Sequence, residues 1–417
     1  MESAPSRDHA ETRWSLIRLV AVRFGIVYFP LFWLVLIPFP LVHQAVPWAG
    51  KHILHLGRDI TAFGNIDTTY NYLRTFFCLV LAAAASAIWS AVHRKGANNE
   101  MLHRWLRLFV RTMLVFAMSL YGWDKAFHFQ MGTPSLSTLL EPIGQMSPFT
   151  LLWTFMGVSH SYEMFAGLVE VLPALLLIVP RFATLGALIS ATVMTNVFVT
   201  NLSYDVPVKI ISFHLFLMSW VLLLPDLPRL ANFFVLNRTA EPAIHPALTT
   251  RRWINRVALV LPALVFLIGL AIGLHKLVGS AVLVRERAAE DQSLNGAWTV
   301  EEFAEDSRFS QPMLTPHPHW QMLVFENPRR AILQSADGSR TYLKLNLGSE
   351  KKEFSLSDSD NPNWNAQFAF EKPEADSLYL HGSENGHVIH AKLHRVTPRF
   401  VLTTRGLHWI NENAYWH

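Results

Sequence analysis

Seven stretches of this chain are long and apolar enough to cross a bilayer, and no other feature narrows the fold as far. They run over Arg23–Val42, Tyr72–Val92, Leu106–Trp123, His160–Val179, Phe182–Val199, Val208–Leu224 and Trp253–Leu274. Hydrocarbon offers the backbone no hydrogen bonds, so each stretch of about 20 residues must satisfy its own as an α-helix. The first is too long for a secretory signal and no small-x-small cleavage pattern follows it, so it reads as a retained helix. With 51% hydrophobic and only 16% charged residues, the expectation is an α-helical integral membrane protein of about seven transmembrane helices.

The flanking charges orient it. Arg7, Arg13 and Arg18 lie in the N-terminal tail, with Arg94, Lys95, Arg104 and Arg107 in the second loop. Arg181 marks the fourth loop, and Arg229, Arg238, Arg251 and Arg252 the sixth. The alternate loops are poorer, with Lys51 and Arg58, Lys125, and Lys209. The bias of Lys and Arg toward the inside places the tail in the cytoplasm. An odd number of spans then puts everything past Gly273 outside the cell (inner) membrane, in the periplasm or the extracellular space. The net charge of +4 is spread over these loops and calls for no nucleic-acid partner. The bilayer is the first partner implied. A single cysteine, Cys78, reads as a small buried hydrophobe and excludes an internal disulfide, a CxxC pair or CxxCH haem attachment.

Four regions follow from this pattern. Residues 1–104 hold the tail and two helices, 105–236 a four-helix membrane bundle, and 237–290 a cytoplasmic linker with Pro242 and Pro246 plus the seventh helix. Residues 291–417 alternate apolar with polar residues in short runs such as Leu343-Lys-Leu-Asn-Leu347, with hairpin turns at Asp337-Gly338 and Asn385-Gly386. About eight strands fit there, which reads as an antiparallel all-β barrel or half-barrel. A two-residue turn at Asn385-Gly386 pairs His381 with His390, both facing outward, which argues against zinc between them.

Ionisable groups within apolar spans mark functional sites by default, because burying them in hydrocarbon is costly. Between Tyr121 and His214 they gather toward the outer side of the bundle. Tyr121 and Lys125 are four apart on the third helix, as are Asp124 and His128, so each pair is placed to touch. His160, Glu163, Gly167 and Glu170 make one stripe on the fourth helix. A carboxylate at such depth is protonated, paired or solvated by a cavity, and Lys125 and Lys209 are the nearest structural partners for pairing. Gly167 also suits close approach of a second helix. Asn196, Asn201, Tyr204, Asp205, Lys209 and His214 follow around the fifth hairpin, where Asp205 is placed to cap the sixth helix. Asp67 reads as the cap of the second helix. Gly132–Ser147 is an external loop placed to act as a lid, and Pro148–Ser159 a further helix. His128, His160 and His214 all lie toward the outer half. With no HExxH motif or i,i+4 histidine pair, no metal is assigned and a b-type haem has little support.

The runs YGWDKAFHFQ, SPFTLLWTFMGVSHSYEMFAGLVEVLPALLLI, NLSYDVPVKIISFHL and LLLPD, between Trp105 and Phe234, resemble DoxX/DoxD-type membrane proteins. The order of elements, two glutamates seven apart and the YDVPVK hairpin carry the likeness, over under a third of the chain. It implies a DoxX-like four-helix bundle core associated with thiosulfate oxidation, terminal quinol oxidases and membrane-linked redox assemblies. The added N-terminal spans, the β-rich tail and the absence of the redox relatives' cysteines depart from that pattern. The tail opens with Gly296-Ala-Trp298, similar to the Gly-x-Trp start of lipocalin-like barrels. It closes with Arg405 to Glu412, whose cations and aromatics suit plugging or docking the barrel.

The resemblance and the polar cluster imply a component of a quinone-linked membrane oxidoreductase system, with a polar pocket on the extracytoplasmic side. Glu163 would exchange the proton, with Asp124 and His128 beside it. Lys125 and Lys209 would hold an oxyanion or carbonyl oxygen, and Tyr121, His160, Glu170, Asn196, Asn201, Tyr204, Asp205 and His214 would line the site. Quinone or quinol is the lipid partner implied, and a partner redox subunit or cofactor must carry the electrons. Two other classes stay open: non-redox binding or transport of a lipid or small anionic solute, and a scaffold for a membrane complex.

Overall fold

Each apolar stretch becomes a helix, as backbone desolvation requires. The computed structural model describes residues 15–36, 40–57, 60, 66–93, 99–242, 246–289, 293–306, 308–310, 320–348 and 352–406. They fall into two units: a helical one, up to Ala126 with Phe165–Gly273, and a β-rich one, Phe127–Met164 with the chain from Leu274. In chain order the helices are α1 (Leu16–Val35), α2 (Pro40–His52), α3 (Thr69–Val92), α4 (Asn99–Ala126), α5 (Leu136–Leu139), α6 (Pro148–Gly157), α7 (His160–Ile178), α8 (Ala183–Ser203), α9 (Lys209–Leu223), α10 (Leu227–Phe234) and α11 (Arg252–Ala289). Among the described residues seven helical stretches are long and apolar enough to cross a membrane.

Two boundaries differ from the sequence reading. The first span is Leu16–Leu34 rather than Arg23–Val42. Arg23 lies inside α1. It is 1% exposed and donates to the carbonyls of His93 (2.9 Å) and Trp89 (3.5 Å) at the end of α3. Pro40, counted inside that span, instead opens α2. The last span was expected to stop at Leu274, yet α11 runs 38 residues. At ~1.5 Å per residue that is about 57 Å, well beyond the ~30 Å of hydrocarbon.

The helical unit packs around α4, whose Val110, Leu114, Val115 and Met118 are almost wholly buried among residues of α1, α3, α7, α8 and α9. Glycines set the spacing of α4 and α7. A Cβ on Gly167 would lie 2.4 Å from the Ala126 nitrogen and 2.5 Å from the Gly122 oxygen, so only a missing side chain permits this contact. Where the bundle core is polar, hydroxyls satisfy one another. Ser190 and Ser219 Oγ lie 2.8 Å apart, and Ser219 donates to the Leu215 carbonyl.

The sheet is β1 (Gly296–Glu305), β2 (Arg308–Ser310), β3 (Trp320–Asn327), β4 (Arg330–Ser335), β5 (Arg340–Leu347), β6 (Glu353–Asp358), β7 (Asn365–Glu374), β8 (Ser377–Glu384) and β9 (His387–Val396). All pairings are antiparallel. β1 and β3 to β9 form an up-and-down meander, and β9 pairs back onto β1 from Ala297↔Val396 to Glu305↔Ile389. The result is a closed eight-stranded barrel with β2 as a short extension beside β1, so no long edge is left bare. Asn385 (φ 50°) and Gly386 (φ 91°) supply the left-handed backbone of a two-residue hairpin turn. His381 faces His390 in register, and Leu378, Leu380, Ala391 and Leu393 point inward, as the alternation requires.

Inside, Trp298, Phe325, Phe354 and Phe368 fill the barrel with leucines. Trp298 is 0% exposed, donates its indole N–H to the Leu294 carbonyl at 2.8 Å, and carries the Arg395 guanidinium over its ring. The supposed plug lies almost entirely beyond residue 406, outside the described residues. Within the same unit, Leu136 and Leu140 of the α5 segment cover Ala297, Val324 and Ile332 on the barrel's outer face. Arg340 of β5 donates to the carbonyls of Ser137 (2.9 Å) and Leu140 (2.8 Å), and Glu326 accepts from the Ser137 backbone N–H and hydroxyl. The loop expected to be a lid is thus fastened to the barrel by two charged side chains.

Candidate functional site

The turn after α4 brings the first pair together. His128 adopts a left-handed backbone (φ 62°), uncommon for a residue with a side chain, where the chain leaves the helix. Gly157 of α6 packs against this turn. A Cβ there would lie 2.1 Å from the Gly132 oxygen, and Trp153 donates to the Gln130 carbonyl at 3.0 Å. Held this way, the turn presents the Met131 N–H to Glu163 Oε1 at 2.9 Å and the His128 imidazole Nδ1 to Glu163 Oε2. Glu163 is 0% exposed. His128 Nε2 lies 3.3 Å from Thr133 Oγ1, and the exposed His160 ring stands edge-on to His128 at 4.7 Å. A buried carboxylate facing Nδ1 orients the imidazole and turns Nε2 toward Thr133.

The helical unit holds the second pair. Lys125 of α4 (7% exposed) closes on Glu170 of α7 (4% exposed), a buried ion pair between the two glycine-packed helices. This is the structural pairing anticipated for the glutamates. Such a pair adds little net stability, since desolvation offsets much of the attraction. Tyr121 and Asp124 are partly buried on α4, and Lys125 is committed to Glu170 rather than to Tyr121.

Several expected members fall elsewhere. Lys209 pairs with Asp205 (2.6 Å) and lies 3.8 Å from Asp67, so it is not free to hold an oxyanion. Asp205 does not cap α9. Its backbone is left-handed (φ 51°) and its side chain 83% exposed, so the carboxylate reaches forward to the lysine. Asp67 caps α9 instead, accepting from the N–H groups of Lys209 (2.6 Å) and Ile210 (3.0 Å), while Thr68 caps α3. His214 is no ligand. The Ile210 carbonyl at 2.6 Å fixes the proton on Nδ1, Nε2 accepts from Tyr28 Oη at 2.7 Å, and Phe32 stacks on the ring at 3.7 Å. Both nitrogens are thereby occupied, which removes it from any haem or metal set. Asn201 is buried at the end of α8. Asn196 is exposed and accepts from Thr200 Oγ1, and Tyr204 is 37% exposed, so neither lines an interior pocket.

Sequence reasoning missed Tyr28, Thr133 and the Met131 N–H. Tyr28 lies 186 residues from its histidine, and a backbone donor leaves no trace in composition.

Seven span-length helices with buried acid–base pairs, followed by a closed up-and-down barrel, define a multi-pass helical membrane protein with a lipocalin-like β unit. More particularly, the chain belongs to the family of the uncharacterized protein YwoB of Bacillus subtilis (strain 168). The two are 36% identical over 145 residues, 34% of this chain and 91% of that protein. No family model matches the chain. Among solved structures it is similar to a de novo designed fluorescence-activating β-barrel, 16% identical, with a TM-score of 0.18, covering 25% of this chain and 95% of that one.

Proposed function

We propose that this protein is the membrane component of a quinone-linked redox assembly, in which Glu163 and His128 handle the proton. One observation carries the reading: Glu163 is wholly buried, and its two oxygens are held by the Met131 N–H and the His128 imidazole. Quinol oxidation releases two protons and two electrons. His128 Nε2 takes the two protons one after the other, releasing the first to water before accepting the second, and Glu163 stabilises the imidazolium each time. Neither side chain accepts electrons, which pass to a partner subunit bearing a redox cofactor. The resemblance of residues 105–236 to DoxX-type modules supports the quinone assignment. The Lys and Arg distribution supports a cytoplasmic N-terminus and an extracytoplasmic barrel in the cell membrane.

Mass spectrometry of lipid extracted from the purified protein tests the ligand, and Glu163→Gln tests the proton. Quinone is expected in the extract. The variant keeps an acceptor for Met131, so it should fold yet lose quinone-dependent proton exchange by about 10²–10⁴-fold. Phospholipid without quinone would favour the binding or transport reading instead. Wild-type exchange in the variant would remove Glu163 from the mechanism.

A further inference from the structure

A second polar site lies in the helical unit, independent of the Glu163–His128 reading. A cavity of about 440 Å³ opens where α4 and α11 begin and α9 ends, lined by Arg18, Arg104, Arg107 and Arg111. Three of these follow a three-four spacing on α4, so they share one helix face. The two acids on its wall are engaged. Asp226 accepts from Arg107 (3.4 Å), Arg229 (2.9 Å) and the Thr184 hydroxyl (3.0 Å), and Glu100 lies 4.0 Å from Arg18.

Arg104 and Arg111 differ. Arg104 donates to the Ala247 carbonyl at 2.8 Å, and Arg111 to the Ile178 carbonyl at 3.5 Å. The Nε of each is buried without a hydrogen-bond partner, and among the described residues neither guanidinium has a carboxylate within 4.0 Å. Two under-paired guanidinium groups about two helical turns apart suit an anion. His103 and Asn255 add polar groups to the wall, and Leu222, Ala258 and Leu259 give it an apolar part.

We propose that this cavity binds a phosphate group, presented by the headgroup of an anionic phospholipid. Guanidinium forks match phosphate oxygens, and basic pockets between transmembrane helices suit anionic headgroups with their chains against apolar walls. A small phosphorylated solute offers the same chemistry.

The test is native mass spectrometry of the full-length protein in detergent, given equal phosphatidylglycerol and phosphatidylcholine, with and without inorganic phosphate. Wild type should retain the anionic phosphatidylglycerol over phosphatidylcholine by about tenfold or more. The double substitution Arg104→Gln with Arg111→Gln should abolish that preference. Ala258→Phe, which keeps every charge and fills the cavity, should do the same even if the double variant fails to fold. Lipid that survives excess inorganic phosphate is the occupant, whereas lipid displaced by it identifies a free phosphate group. Equal retention of both lipids by wild type, or unchanged preference in Ala258→Phe, overturns the proposal.

Discussion

At the barrel's rim two indoles grip one carboxylate. Trp364 Nε1 donates to Glu384 Oε1 at 2.9 Å and Trp320 Nε1 to Oε2 at 3.2 Å. Burial pushes the Glu384 carboxyl above its ordinary 4.5, only partly countered by the two indole N–H groups that favour its charged form. An acid whose folded value is raised holds its proton longer in the folded protein than in the unfolded chain. Its stabilising contribution is therefore complete below the ordinary value and fades as pH rises through the raised one. Thermal melts of the full-length protein, followed by tryptophan fluorescence, should contain a component that weakens across that window. Glu384→Gln should abolish that component, and a variant profile superimposable on wild type would assign the effect to other groups. The same scale separates the two buried glutamates of α7. Glu170 closes on the Lys125 ammonium, whereas Glu163 faces the His128 imidazole, which is why the proposed proton exchange is placed at Glu163.

Between elements, the contact of α4 with α7 depends on glycine. The atoms nearest a Cβ on Gly167 are backbone, which cannot rotate away, so Gly167→Ala should separate the helices and cost about 1–3 kcal/mol. A fall in the midpoint of thermal unfolding would register it, and no change would mean that α4 and α7 pack more loosely than this geometry demands. In the β-rich unit, the α5 segment hangs on Arg340, which serves two carbonyls and lies 3.8 Å from Glu141. Arg340→Ala leaves those acceptors without their donor, at about 1–3 kcal/mol. Amide hydrogen exchange over residues 135–145 should accelerate while the barrel strands stay protected. Equal protection in the variant would show that Glu326 with Leu136 and Leu140 secures the segment without Arg340.

Across the whole molecule, the orientation proposed from the charges flanking the seven candidate spans among the described residues puts Leu16 and the barrel on opposite sides of a membrane. Cys78 is buried, so a cysteine introduced by Ser359→Cys on the exposed β6–β7 turn is a selective reporter. An impermeant maleimide should label it in intact cells or spheroplasts, and labelling that requires lysis would reverse the orientation. Much of this organisation was legible in the residues themselves. Hydropathy marks bilayer-length helices because desolvated backbone leaves no other option, and the period-two alternation with Asn385-Gly386 set the β8–β9 register down to His381 opposite His390. Of the stripe of His160, Glu163, Gly167 and Glu170, the last three are buried on one face, as helical spacing requires, while His160 is exposed. Which partner each charge meets was not legible. Arg23, read as the start of the first span, is a buried clasp, Asp67 reads as the cap of its own helix and caps one 142 residues away, and His214 is closed off by Tyr28. Local spacing governs what a helix or strand can do for itself, and so it is written along the chain. The pairing of ionisable groups and the closure of β9 on β1 arise between segments distant in sequence, where only packing in three dimensions brings the atoms within reach.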